Sequence, residues 1–237
     1  LLSIDGRRII TDHYRGVNIY DKVINSARWL KKIGFKNDLV ARMTVSESSN
    51  IFLDVEHLLS LSLFDHVHWQ LDVIWSPQWK NFNEWCKSSY LSGISRLVRF
   101  WLEKAREGRL LGIVPFIALL KTMIKKEEVE RPPCGSGATS LSILTDGSVT
   151  ACPIAVDAKW AKMGTIFNGS KAQMMSKVEI DKPCKNCDYL KYCGGRCLYA
   201  HYERLWGDDG FNIICKATIH TIDELARIKS EVLNLLD

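Results

Sequence analysis

Seven of the chain's eight cysteines fall after position 133, and they fall in pairs and short runs. Cys134 is followed by twelve residues, Gly147, four more residues and Cys152. After a gap, Cys184, Cys187, Cys193 and Cys197 spell C-x2-C-x5-C-x3-C, and Cys215 follows seventeen residues later. Thiolates are soft ligands that suit iron-sulfur clusters or zinc, and a two-residue spacer lets both sulfurs of a pair turn toward one group. Gly194-Gly195 relieves a crowded backbone between Cys193 and Cys197. Two closed four-cysteine zinc sites need more thiols than the seven present, although His201 or His220 could complete such a set. Cys86 stands outside the pattern and reads as an ordinary buried thiol.

A disulfide framework suits short secreted chains, whereas this one has 237 residues and opens with no basic segment leading into an apolar run. A reducing, cytoplasmic setting is expected. The apolar stretch Leu110 to Ile124 is broken by Gly112, Pro115 and Lys121 and is too short to span a bilayer, so no membrane segment is expected. The net charge of +5 comes from scattered lysines and arginines, which does not call for nucleic acid as a partner.

The character of the chain changes in the charged stretch that closes with Arg131-Pro132-Pro133. Residues 1–130 and 131–237 are expected to form two domains. In the first, strands are predicted over Leu1 to Asp5, Leu39 to Val45 and His66 to Val73. Helices are predicted around Ile19, Val23, Ala27 and Leu30, ending at Gly34, then over Asp54 to Leu63, Leu91 to Ala105 and Pro115 to Lys125. This alternation argues for an α/β fold with a parallel sheet.

The period-2 pattern places Ser3 and Asp5, then Arg42 and Thr44, then His66, His68, Gln70 and Asp72 on one face of that sheet. Such a polar face is either a site or a solvated surface. Trp75, Trp79, Phe82 and Trp85 follow the third strand, either to grip a ligand or to pack beneath a loop. In the second domain, Ser140 to Thr145 and Ser148 to Ala151 read as a β-hairpin around a two-residue Asp146-Gly147 turn, which would bring Cys134 near Cys152.

The spacing of the seven cysteines resembles the SPASM domain, the auxiliary-cluster module of many radical S-adenosylmethionine (SAM) enzymes. That resemblance implies two [4Fe-4S] clusters, one held by Cys134, Cys152 and Cys197 and the other by Cys184, Cys187, Cys193 and Cys215. Some members add a cysteine where this chain has Ser140, so the first cluster has an open iron or a ligand from elsewhere. Ser3-Ile4-Asp5-Gly6 followed by Asp12-His13-Tyr14-Arg15-Gly16 looks like the fourth strand and following loop of the radical SAM partial (β/α)6 barrel. The implied architecture is the C-terminal portion of that barrel followed by a small SPASM domain with a hairpin and a C-terminal helix. Ser3, Asp5 and Arg15 would then lie near SAM.

The C-x3-C-x2-C motif that binds the SAM-cleaving cluster is missing, since no cysteine precedes Cys86. The chain is therefore expected to be a piece of a longer enzyme, one half of a split enzyme, or a homologue that has lost SAM chemistry. SAM and a third [4Fe-4S] cluster would bind only with a preceding portion. The implied activity is radical modification of a peptide or protein, with a flavodoxin or ferredoxin as electron donor. The alternatives are an iron-sulfur electron-transfer or scaffold protein and a zinc-stabilised module. No catalytic acid or base can be named from the pattern.

Overall fold

The computed structural model describes residues 1–72, 76–129, 131–168 and 178–236. Val73 and Trp75, which the sequence pattern placed on the third strand and in the aromatic segment, lie outside the described residues. The chain divides into one unit of Leu1–Lys125 with Ile213–Asp237 and a second of Lys126–Asn212.

The first unit is a mixed α/β body on a parallel sheet of β1 (Leu2–Ser3), β2 (Val40–Val45) and β3 (His66–Leu71), in that order. The expected alternation is what the sheet uses. Ala41, Met43, Val45, Val67 and Trp69 are buried, while Arg42 and Gln70 face outward. Beyond β3, Val67 N–H donates to Gly112 O at 2.7 Å and Val67 bridges Ile113 in parallel. A Cβ on Gly112 would lie 2.0 Å from Asp65 O, so only glycine lets the chain pass there.

Helix α1 (Arg8–Arg15) occupies the stretch expected to be a loop. It forms because Asp5 and Gly6 are tied to its first turn. Asp5 N–H donates to Thr11 Oγ1 at 3.1 Å, and that hydroxyl donates to Gly6 O at 3.2 Å. Helix α2 (Ile19–Lys32) buries Tyr20, Ile24 and Ala27, and Gly34 follows it at φ 76°, the stop that its residue type announces.

Helix α3 (Ile51–Ser60) is capped by Asn50, whose side chain accepts from Leu53 N–H at 3.1 Å. Asp54, fully buried on α3, accepts from Arg7 Nε at 2.8 Å, Arg7 N–H at 3.2 Å and Asn50 N–H at 2.8 Å. A Cβ on Gly6, at φ 101°, would come within 2.3 Å of Asp54 Cβ, so this carboxylate also dictates the glycine.

A short helix α4 (Phe82–Trp85) runs through a π-turn at Cys86–Leu91 into α5 (Ser92–Arg106), and α6 (Val114–Lys125) follows. Pro115 sits in the first turn of α6, where a missing N–H costs no hydrogen bond. The described aromatics after β3 pack inward: Trp79 and Phe82 are buried, Trp79 meets Trp85 edge-on at 4.9 Å, and Trp85 stacks on Tyr90 at 5.5 Å. They are core. Tyr90 donates no proton readily, because burial pushes its hydroxyl up to about 12.

The second unit carries an antiparallel sheet of β4 (Ser142–Ile143), β5 (Ser148–Thr150) and β6 (Lys162–Thr165). The hairpin exists, but its turn differs from the expected two-residue form. Gly147 N–H donates to Leu144 O at 3.0 Å, which makes Thr145 and Asp146 the central residues and leaves Gly147 at φ 82° as the left-handed residue after them. A turn of this right-handed type needs that extra left-handed position to rejoin the strand. Phe167 closes over it, since a Cβ on Gly147 would lie 2.3 Å from Phe167 Cε2.

Short helices α7 (Leu190–Cys193) and α8 (Leu198–Glu203) precede the long α9 (Gly207–Leu236). The sequence reading placed all of 131–237 in the second domain, yet α9 from Ile213 onward packs with the first unit. His220 Nε2 lies 2.8 Å from Ser95 Oγ and 3.0 Å from Leu91 O, and Arg106 pairs with Glu231 at 2.6 Å. Helical periodicity reveals an apolar stripe but not which neighbour it will cover.

Trp101 is the largest fully buried side chain of α5, with its indole N–H donating to Leu111 O at 2.9 Å. Trp101→Ala is expected to cost the first unit about 3–5 kcal/mol of stability, read as a lowered midpoint in chemical denaturation.

Candidate functional sites

The polar sheet face lies in the first unit, while six of the seven cysteines of the array lie in the second and Cys215 is counted with the first. On the sheet, Ser3 is in register with Arg42 and Arg42 with His68, while Thr44 pairs with Gln70. Arg42 Nη2 donates to Gln70 Oε1 at 3.1 Å, which orients the amide so that its NH2 group remains to donate. Burial, and then the nearby Arg42 charge, hold His68 below the ordinary histidine value. The row presents cationic and amide donors beside a neutral imidazole.

Asp5 departs from the expected arrangement. The period-2 pattern puts it on the polar face of the sheet, which is either a site or a solvated surface, yet Asp5 is only 1% exposed. Arg15 Nη2 donates to its Oδ1 at 2.8 Å, Arg15 Nε lies 2.7 Å from its Oδ2, and Thr44 N–H donates to Oδ1 at 2.7 Å. A charge can be buried this deeply only because a planar guanidinium and a backbone donor answer it. The structure thus brings Asp5 and Arg15 together at the carboxyl ends of β1 and β2, while Ser3 stays exposed one turn of the pleat away. The holding groups, Thr11 and the Thr44 backbone, carry no sequence signal. Further along, Ser46 Oγ donates to Asp72 Oδ2 at 3.3 Å.

In the second unit, the loop from Cys134 folds back on β5. Ser136 Oγ and Gly137 N–H donate to Ala151 O at 2.7 and 3.0 Å, which places Cys134 two residues from one side of the contact and Cys152 one residue from the other. Cys197 precedes α8. Burial is the main force raising its thiol, the nearby Cys152 and Cys134 thiols push the same way, and the backbone N–H groups of Ala200 and Tyr199 pull it down. The three cysteines of the first expected set are therefore electrostatic neighbours within one unit. Exposed Ser140 adds no soft ligand to them.

Cys184 opens a single 3-10 turn, and Cys187 N–H donates back to Cys184 O at 2.9 Å, the tight turn that the spacing required. Leu190 N–H then bonds Cys187 O at 2.9 Å and leads through α7 to Cys193. Gly194, Gly195 and Arg196 follow with φ of 55°, 72° and 61°, reversing the chain toward Cys197. A Cβ on Gly194 would lie 2.0 Å from Arg131 O. Cys215 stands on α9, in the stretch counted with the first unit.

The donor chemistry fits an iron-sulfur group. Among the described residues, no three His, Cys, Asp or Glu side chains converge closely enough to hold a single metal ion. A four-iron cubane spreads its ligands more widely than one ion does, and thiols grouped at loop ends match that demand. His220 Nε2 already faces Ser95 Oγ and Leu91 O, so only its Nδ1 remains for another partner.

No protein-family model matches the chain. Its curated relatives include the cysteine-type anaerobic sulfatase-maturating enzyme of Clostridium perfringens strain 13, 21% identical over 235 residues, covering 91% of this chain and 62% of the relative. The same enzyme from strain ATCC 13124 is 22% identical over 210 residues, covering 83% and 57%. The chain thus spans about three fifths of the length of these relatives. Among solved structures, native anSMEcpe with bound AdoMet superposes with a TM-score of 0.72 at 17% identity, covering 99% of this chain and 68% of that one. The form with AdoMet and the Cp18Cys peptide gives 0.71 at 18%, covering 99% and 69%. The mixed α/β fold matches that of a radical SAM enzyme, and the chain is similar to part of a radical SAM/SPASM protein. Among the described residues, no helix is long and apolar enough to cross a membrane.

Burial is the first cause holding His57, His68 and His201 below the ordinary histidine value. As pH falls past about 6.5, the unfolded chain takes up protons before the folded one does. Stability from these groups is complete above that value and is lost as pH falls through their lower folded-state values. The denaturation midpoint is therefore expected to drop as pH falls below about 6.5 and to show no gain from these groups above about 7. NMR should find the His68 ring titrating below the usual histidine value, and rising only in part in Arg42→Ala, because burial remains.

Proposed function

We propose that this chain is the later-strand and auxiliary-cluster portion of a radical SAM/SPASM enzyme that modifies a peptide or protein. The observation that supports the proposal is the clamp of Ser136 Oγ and Gly137 N–H on Ala151 O, which brings the backbone beside Cys134 to the backbone beside Cys152 in the unit that also carries Cys197. In this reading these three hold one [4Fe-4S] cluster, and Cys184, Cys187, Cys193 and Cys215 hold the other. The clusters supply electron transfer, and SAM bound with the preceding portion supplies the radical that removes hydrogen.

The residues of this chain have definable parts in such a reaction. Arg15, anchored by buried Asp5, and exposed Ser3 stand at the carboxyl ends of the strands, where α/β sheets bind their ligands. Asp5 acts through Arg15. Arg42, Gln70 and His68 turn hydrogen-bond donors and a neutral imidazole toward the same face, an array suited to the carbonyl groups of a peptide. A peptide substrate is also supported by the names of the relatives, which mature sulfatases, and by the peptide bound to one related structure. A flavodoxin or ferredoxin would deliver the electron.

Protein purified and reconstituted without oxygen is expected to hold about eight iron and eight sulfide, and Cys184→Ala about half of that. About two zinc without sulfide, or full iron in Cys184→Ala, would overturn the assignment. In the longer protein, Arg15→Gln is expected to weaken SAM binding about tenfold or more by calorimetry while auxiliary iron stays unchanged. Unchanged affinity would remove Arg15 from the site.

A further inference from the structure

Three cysteines leave one corner of a four-iron cluster without a protein thiolate. The second unit holds a buried side chain that lacks a partner and follows one of the three cysteines by a single helical turn. His201 is 3% exposed, and its Nδ1 is buried with no hydrogen-bond partner among the described residues. A buried ring nitrogen left unpaired is costly, and native structures retain such groups when they have a use.

His201 stands on α8 four residues after Cys197, and its N–H donates to Cys197 O at 2.9 Å. One helical turn separates the two residues, and helical side chains lean toward the N-terminal end. That end is where Cys197, one of the three thiols of the proposed set, sits. The ring is set in place by Tyr202 and Phe211, whose centroids lie edge-on at 5.0 and 6.0 Å. A ring so placed has little freedom to turn its nitrogen elsewhere.

We propose that His201, through Nδ1, is the fourth ligand of the cluster held by Cys134, Cys152 and Cys197. Imidazole is an established iron ligand, and a neutral nitrogen in place of a thiolate removes one negative charge and raises the reduction potential. The first cluster is then closed, so it passes electrons and does not bind substrate at iron. The inference rests on the cluster reading above and adds to it the identity of the last ligand.

The test is pulsed EPR of the full chain, reconstituted and reduced without oxygen, with histidine labelled by 14N or 15N. The expected result is the hyperfine coupling of a directly bound imidazole nitrogen, lost in His201→Ala. In His201→Cys the coupling is lost while iron and sulfide stay at the level of the unaltered protein, which separates ligation from folding. No such coupling in protein that holds its full iron, or a coupling that survives in His201→Ala, overturns the proposal. Cys134→Ala distinguishes the two levels. If it leaves iron and sulfide unchanged, the cluster reading itself fails. If it removes about four iron while no nitrogen coupling is found in the unaltered protein, only the His201 assignment fails.

Discussion

A carboxylate as deeply buried as Asp5 has to be answered on every side, and the way it is answered organises the sheet end of the first unit. Arg15 meets both oxygens from α1, Thr44 N–H meets one from β2, and the Asp5 backbone is itself held by Thr11. Three segments, the end of β1, helix α1 and strand β2, are thereby fixed at one point. The same logic repeats at Asp54, which holds the β1 to α1 turn through Arg7 and the start of α3 through Asn50. Removing either carboxylate would leave an arginine and backbone donors facing a void, which is more damaging than never having had the pair.

These two carboxylates explain why the polar face can exist at all. A parallel sheet normally buries both faces, and one that leaves Arg42, His68 and Gln70 turned outward loses packing on that side. The helices α1 and α3 are held to the sheet by ion pairs and backbone donors as well as by apolar contact. The rim is therefore rigid enough to keep side chains in register across three strands. In a ligand site such rigidity matters more than the identity of any single contact, because donors held in place lose little freedom on binding.

Much of this was legible in the chain, for reasons that can be named. Alternation in Ala41 to Val45 and in Val67 to Trp69 is enforced by burial on one face, so the strands could be drawn from residue type alone. The tight turn at Cys184 to Cys187 and the left-handed Gly194-Gly195 follow from spacing and from glycine's freedom. Other features depend on partners that no local window contains. Asp5 reads as one member of a polar row on the sheet, and its burial is not visible there because it depends on an arginine ten residues away and a backbone amide on another strand. Strand β6 is short, includes Gly164 at φ 113° and lacks an alternating pattern, so it exists only because β5 offers an edge. The aromatic residues after β3 carry the same composition whether they pack or grip, and only burial separates the two.

The cysteine-rich unit is ordered by local clamps more than by its sheet. Its strands are two to four residues long, so sheet hydrogen bonds alone give little cooperativity. What holds the loops is a set of side-chain and backbone clamps: Ser136 on Ala151, Phe167 over Gly147, Val129 N–H on Lys191 O. Each clamp fixes the backbone within a few residues of a cysteine. Under the proposed cluster reading, the binding free energy of the group becomes folding free energy for the unit. The left-handed run from Gly194 to Arg196 shows the cost that this arrangement accepts in advance. A strained reversal, incompatible with any side chain at Gly194, carries the chain from Cys193 to Cys197.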